Sequence, residues 1–400
     1  MRVITNPHKI DEILNRGTIV KILPTLKEFR DKLLSGQELR FYIGFDPTAP
    51  TLHLSHAKNF MLMEKFRKLG HKVIILFGDF TARIGDPSGE LAARRQLSRA
   101  EVMANAKKWT KLAAPLMDFK DKNNPPQIKY NHGWLSKLRM EDLISLAGNF
   151  TVQQMMERDM FQKRVKEGKP IHLHEFLYPL MQGYDSVVLD VDVEVCGTDQ
   201  IFNALVGRSL LKRNKGKDKY VVAVTLMENP RTGELMSKSK GIGVFLDAAP
   251  RDMYGQIMAQ PDEMIPILFV NNTLLPLNEI NSVRKLKPLE AKERLAFEIV
   301  KLYHGEKEAE KAKEFFDKTF REKKLPEDVQ TIYFKPEEAP LMVDVLKKAR
   351  VVPSNSEFRR LLRGRAIEFN QEVITDPNFV LDVPGTVRVG KKTFLRVEPN

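Results

Sequence analysis

The chain has 400 residues, 42% hydrophobic and 29% charged, which is more than one ordinary core accommodates and too apolar for wholesale disorder, so two or three packed domains are expected. The net charge of +13 favours polyanionic partners such as nucleic acid or an anionic membrane. A single cysteine, Cys196, excludes a disulfide framework and a Cys-rich zinc site.

No apolar run approaches the roughly 20 residues that a spanning helix needs. The start, MRVITNPHKIDEIL, lacks the apolar core of a secretion signal. A cytoplasmic protein with no membrane partner is expected.

In chain order, residues 1–36 carry helical periodicity through Ile10, Ile13 and Leu14, then Leu26, Phe29, Leu33 and Leu34. RFYIGFD reads as a strand ending at Asp46. A helix is expected from about His53 to Leu69, stopped by Gly70. HKVIILFGDF follows as a strand whose continuous apolar run fits a parallel sheet covered on both faces. Strand, helix, strand makes a βαβ unit and predicts a nucleotide-type α/β sheet. Residues 98–165 read as mainly helical, with NNPPQ as a loop. SVVLDVDVEVCG (186–197) reads as a strand region, KRNKGKDK (212–219) as a basic turn, and YVVAVTLM as a further strand. Residues 251–320 are helical and Lys/Glu-rich, and 336–345 read as a joint. Then SNSEFRRLLRGR gives a capped helix starting at Ser354 or Asn355, and the remainder short strands with tight turns.

Two motifs carry chemistry. FDPTAPTLHLSHAKNF (45–60) is rigid at its prolines and delivers the chain to a helix start near His53. Helix N-termini offer unpaired N–H groups to phosphate, and the imidazoles of His53 and His56 can add hydrogen bonds. A metal would need a third ligand, and the nearest acid, Glu64, is two turns away. A packing role for both histidines is the plainer alternative. GELMSKSKGIG (233–243) is a Ser/Lys loop between glycines, suited to clamping phosphate or simply to being a solvated loop.

Together the two motifs resemble the HIGH and KMSKS signatures of class I aminoacyl-tRNA synthetases. In detail the chain is similar to the bacterial-type tyrosyl-tRNA synthetases. GDFTARIGDPSGE, HEFLYPLMQGYDS, GTDQIFN and SNSEFRRLL follow in that family's order over essentially the whole chain. The resemblance implies a Rossmann-like parallel-sheet catalytic domain (1–243, with a helical insertion at about 115–180). A helical anticodon-region domain (244–338) and a small α+β S4-like RNA-binding domain (339–400) would follow. Residues 115–165 would carry a homodimer contact.

The resemblance also implies roles. Tyr42 and Asp185 would meet a tyrosine hydroxyl. Asp86, Tyr178, Gln182 and nearby Thr81 would surround the α-amino group, and Gln200 would meet tyrosine or ribose. Gly44, Asp46, Thr48, His53, His56, Gly197, Asp199, Met236, Lys238 and Ser239 would serve ATP, which would arrive with Mg2+ and need no protein metal cage. The chemistry agrees, since a phenol wants one donor and one acceptor, and an ammonium wants carboxylates. Residues 178, 182 and 185 also share one helical face. Arg359, Arg360, Arg363, Arg365 and Lys391 would contact tRNA(Tyr).

Four positions depart from the family pattern. Ser55 replaces a glycine, Leu235 a lysine, Cys196 a glycine and Glu194 a glutamine. Two rivals stay open: a tryptophanyl synthetase, which shares the fold but for which Tyr42 and Asp185 suit a phenol better than an indole, and an RNA-binding module with a degenerate site, which Ser55 and Leu235 keep alive.

Overall fold

The computed structural model of the chain describes residues 2–86, 97–236, 243–283, 285–321, 329–370, 372–390 and 393–400. They fall into two compact units, Met1–Glu310 and Lys311–Asn400.

The first unit is built on six strands: β1 (Ile19–Leu23), β2 (Arg40–Phe45), β3 (Lys72–Phe77), β4 (Gln127–Tyr130), β5 (Val193–Gly197) and β6 (Tyr220–Val224). Their order is β1-β6-β5-β2-β3-β4. All neighbours are parallel except β1, which runs antiparallel to β6. In β3, residues 73–77 are all buried, as a strand covered on both faces requires. The helix Leu54–Lys68 crosses from β2 to β3, with His53 extended at its N-cap (φ −123°, ψ 172°). This is the predicted βαβ unit. The strand order reverses between β2 and β5, so a crevice opens at the C-terminal ends of those two strands.

Several sequence expectations are corrected. Residues 186–189 are helix, the last turn of Leu173–Leu189, and the strand begins only at Val193. The β-branched Val187 and Val188 suggest a strand, but Val187 packs in a helical cluster with Val206 and Leu210. The helix stops at Asp190 in the left-handed region. Within 1–36 a strand, β1, interrupts the helical pattern, because IVKIL finds an open edge on β6. The loop NNPPQ leads into β4, which extends the sheet beside β3. Lys212–Lys215 belong to the helix Ile201–Lys215, which ends at Gly216 (φ 65°).

The helices Leu173–Leu189 and Ile201–Lys215 touch at two glycines. A Cβ on Gly183 would lie 3.2 Å from the Gly207 Cα and 2.9 Å from Leu210 Cδ1. Only hydrogen fits at that crossing.

The second unit holds β7 (Gln330–Phe334), β8 (Ile367–Phe369), β9 (Glu372–Val373), β10 (Gly385–Val389) and β11 (Thr393–Pro399), in the order β7-β11-β10-β8-β9. The expected joint at 336–345 is not one. β7 precedes it and pairs in parallel with β11, and Met342 and Leu346 are fully buried in this unit's core. The two compact units divide near residue 310. The helix Asn355–Arg363 starts at Ser354, whose side chain accepts the Glu357 N–H at 3.2 Å.

Candidate active site

A cavity of about 320 Å³ opens where β2 and β5 end. Asp46 follows β2, Gly197 closes β5, and Thr81 and Asp86 follow β3. The helix Leu173–Leu189 supplies Tyr178, Gln182 and Asp185 on one face, as their spacing predicts. Tyr42, Gly44, His56, Asp199 and Gln200 complete the predicted set that lines the cavity.

Three predicted residues lie off the lining. Thr48 is exposed on the approach. His53 caps the helix beside His56, ring centroids 4.1 Å apart. Met236 is buried, its N–H bonded to Met227 O. Lys238, Ser239 and Lys391 lie outside the described residues.

At one end of the cavity, Asp185 is 2% exposed. Its carboxylate accepts Trp134 Nε1 at 2.7 Å and Asn131 Nδ2 at 3.3 Å. Burial pushes this acid well above the usual range, these two donors pull it back, and Asp46 and Glu194 push it further up. Tyr42 is 1% exposed, and its phenol is pushed up by burial, then by Glu194 and Asp185. Asp185 is thus a buried acid, not a solvated one at the end of its helix.

Midway, Asp46 accepts Tyr178 Oη at 2.8 Å and Thr81 Oγ1 at 2.7 Å. Burial raises its carboxyl to about 7, against these two bonds and with help from Asp86. Asp86 accepts Gln200 Nε2 at 2.5 Å. Asn203 donates to both Gln200 Oε1 (2.8 Å) and Gln182 Oε1 (3.0 Å). This region concentrates acceptors and carboxylates, a site for an ammonium.

At the helix start, His56 Nδ1 accepts the His53 backbone N–H at 3.4 Å, and the His56 ring meets Trp109 edge-on. Burial lowers His53 to about 4 and His56 well below the ordinary imidazole range, with Lys58 adding to both. Both rings are therefore neutral at pH 7 and can offer an N–H donor rather than a positive charge. The Leu54 N–H bonds Val244 O at 3.1 Å, and the Leu246 N–H bonds Leu52 O at 2.9 Å. The first motif is thus tied through the backbone to the residues that follow the second.

Sequence reasoning missed Trp134 and Asn131, which hold Asp185. They follow β4, a strand that the sequence does not advertise. It also missed Lys58, 3% exposed and lining the cavity, whose ammonium burial lowers to about 7. Its position two residues after His56 was the only signal.

In the second unit Arg359, Arg360, Arg363 and Arg365 are all exposed, while Phe358 and Leu362 anchor their helix. Arg360 is bidentate to Glu357 at 2.6 and 2.8 Å. No described helix is long and apolar enough to cross a membrane.

A family model described as tRNA synthetases class I (W and Y) matches residues 34–321. A tyrosine–tRNA ligase of Carboxydothermus hydrogenoformans is 41% identical over 405 residues, spanning 96% of this chain and 97% of its own. One from Aquifex aeolicus is 40% identical over 394 residues, 98% of this chain and 99% of its own. A truncated mitochondrial tyrosyl-tRNA synthetase of Aspergillus nidulans shares the fold, with a TM-score of 0.65 at 23% identity over 78% of this chain and 94% of its own. The chain belongs to the bacterial-type tyrosyl-tRNA synthetases, class I tyrosine–tRNA ligases that take ATP as a substrate.

Proposed function

We infer that the ligase reaction runs in the β2–β5 cavity, with tyrosine inside and ATP against the histidine helix. The observation that carries this reading is the buried Asp185 beside Tyr42, a fixed acceptor and a hydroxyl for a phenol. Asp86, Tyr178, Gln182, Thr81 and Gln200 surround the ammonium. Gly44, Asp46 and Thr48 guide the adenylate, and Gly197 and Asp199 take the ribose. His53 and His56 donate N–H groups to phosphoryl oxygens, and Met236, Lys238 and Ser239 close over pyrophosphate.

A tyrosine carboxylate oxygen attacks the α-phosphorus in line. The bond to the α–β bridging oxygen breaks, and pyrophosphate leaves with its electron pair. The terminal ribose hydroxyl of tRNA(Tyr) then attacks the tyrosyl carbonyl, and AMP leaves. No side-chain nucleophile is needed, since positioning and charge stabilisation carry both steps. Mg2+ arrives on the ATP phosphates and neutralises part of their charge.

Arg359, Arg360, Arg363, Arg365 and Lys391 supply tRNA backbone contacts, and the helices of 244–338 face the anticodon region, in a catalytic, helical and S4-like division of the chain. Exposed Met140, Ile144, Val152 and Val165 support a two-fold contact of the 115–180 region in a homodimer. The cytoplasm is the compartment in which such tRNA charging takes place.

Tyrosine-dependent ATP–pyrophosphate exchange tests the reading, with phenylalanine and tryptophan as controls. Exchange with tyrosine alone is expected, because a polar floor left unpaired rejects phenylalanine. Exchange with tryptophan, or with none, overturns it.

A further inference from the structure

Beneath the amino-acid end of the cavity lies a charged network that the family motifs do not include. Tyr42 and Glu194 are register partners on adjacent parallel strands. Glu194, at 1% exposure, stands where the family usually has glutamine. Its partner is Lys219, equally buried, which precedes β6. Lys219 Nζ also donates to Ser186 Oγ at 2.6 Å and lies 5.8 Å from the centre of the Tyr42 ring. The Ser186 proton is left for Glu194 Oε2 (3.3 Å) or the Tyr42 oxygen (3.5 Å). Gly207 makes the room, since a Cβ there would stand 2.7 Å from Lys219 Nζ.

The other carboxylate oxygen faces the substrate ligands. Glu194 Oε1 accepts Gln182 Nε2 at 3.0 Å. An ionised carboxylate only accepts, so it fixes which end of the Gln182 amide points at it. The NH2 must face Glu194, and the carbonyl Oε1 must face Asn203 and the cavity. An ammonium needs that carbonyl, because a flipped amide would present N–H to N–H.

We propose that Lys219 is a positioning residue for tyrosine: by pairing with Glu194 beneath the pocket, it holds that side chain as an acceptor for the Gln182 NH2 and so turns the Gln182 carbonyl toward the substrate ammonium. The two opposite charges act as a compensating pair. Burying one charge without the other is costly, whereas a neutral polar pair of similar shape is tolerated. This inference rests on the reading that Gln182 faces the tyrosine amino group.

The experiment is steady-state ATP–pyrophosphate exchange, with KM for tyrosine and for ATP measured separately. Lys219→Met is expected to raise the tyrosine KM about tenfold or more, with the ATP KM within about twofold. Adding Glu194→Gln to it returns the tyrosine KM to within about threefold of the parent, because a glutamine oxygen again accepts from Gln182. Adding Glu194→Leu instead, which removes the acceptor, does not. If Lys219→Met alone does not fold, the two double variants still decide the matter. Equal tyrosine KM values in them overturn the proposal, as does a single variant that shifts both KM values alike. Gln182→Ala separates the two levels: if it leaves the tyrosine KM unchanged, the site reading itself fails. If it raises that KM while the Glu194 and Lys219 variants do not, only the present inference fails.

Discussion

Trp134 Nε1 donates to Asp185 Oδ1 at 2.7 Å, so an indole from the segment after β4 fixes the carboxylate that ends the pocket. Leaving a buried polar group without its partner costs roughly 1–3 kcal/mol. Trp134→Phe keeps the ring and removes the donor. We expect the tyrosine KM to rise about tenfold or more and discrimination against phenylalanine to weaken, read by pyrophosphate exchange with each amino acid. Unchanged discrimination would show that the indole merely fills space.

In the proposed reaction the histidines are neutral donors. His53→Ala or His56→Ala should slow adenylate formation by about 10- to 1,000-fold, the range for losing a donor to developing charge, with little change in tyrosine KM. Because His53 lies near 4 and His56 well below 6.5, neither ionises between pH 6 and 9. The groups that do are Asp46 and Lys58, both at about 7. As pH rises through 7, Asp46 gains a negative charge and Lys58 loses a positive one, so kcat/KM for ATP should fall. The same inflection must persist in His56→Asn, and its disappearance there would return the titration to the imidazole.

Lys58 also predicts a pH-dependent stability. Its folded value of about 7 is depressed from the ordinary 10.5, so the unfolded chain binds more protons between those limits and stability rises with pH across them. Below pH 7 the buried ammonium costs the fold its full penalty, partly offset by the Asp199 carboxylate. Lys58→Met should therefore be more stable than the parent at pH 6, by on the order of 1–3 kcal/mol, with the gap closing towards pH 10. Urea unfolding at the two pH values measures it.

Leu235 stands where the family carries a lysine, and it is 47% exposed. Leu235→Lys costs no core packing and adds a cation to the segment proposed to meet pyrophosphate. Single-turnover adenylate formation should speed up several-fold, about 1 kcal/mol of added transition-state stabilisation. A slower rate would mean that this segment is arranged differently from the family's.

In the second unit, Arg359→Gln combined with Arg363→Gln should weaken tRNA binding and lower the magnitude of its salt slope by about 2, while tyrosine-dependent exchange is retained. Filter binding across a salt series checks this.

The legible parts of the chain were those governed by local rules. Proline rigidity, the apolar run VIILF and the Gly70 stop specified β2, the helix Leu54–Lys68 and β3. Helical spacing alone put Tyr178, Gln182 and Asp185 on one face. What could not be read depends on partners far along the chain. β1 forms because β6 offers an edge about 200 residues later. Ser186 to Leu189 look like a strand but are held as helix by Val206 and Leu210. Asn131, Trp134 and Lys219 carry no motif, and they matter only because β4 and β6 bring them to Asp185 and Glu194. The joint expected at 336–345 was misread for the same reason: β7 joins a strand more than 60 residues downstream.

The glycine-to-glycine crossing at Gly183 and Gly207 sets a limit on how this pocket can be remodelled. One helix carries the proposed amino-acid ligands, and the other begins directly behind the Gly197–Gln200 turn proposed for the ribose. With no side chain between them at the crossing, the two move as a single lever, and tyrosine-side and nucleotide-side geometry cannot be tuned independently. New amino-acid substrates would have to be admitted by trimming side chains such as Tyr42. Any change that spread the helices to widen the pocket would tilt the nucleotide half with it.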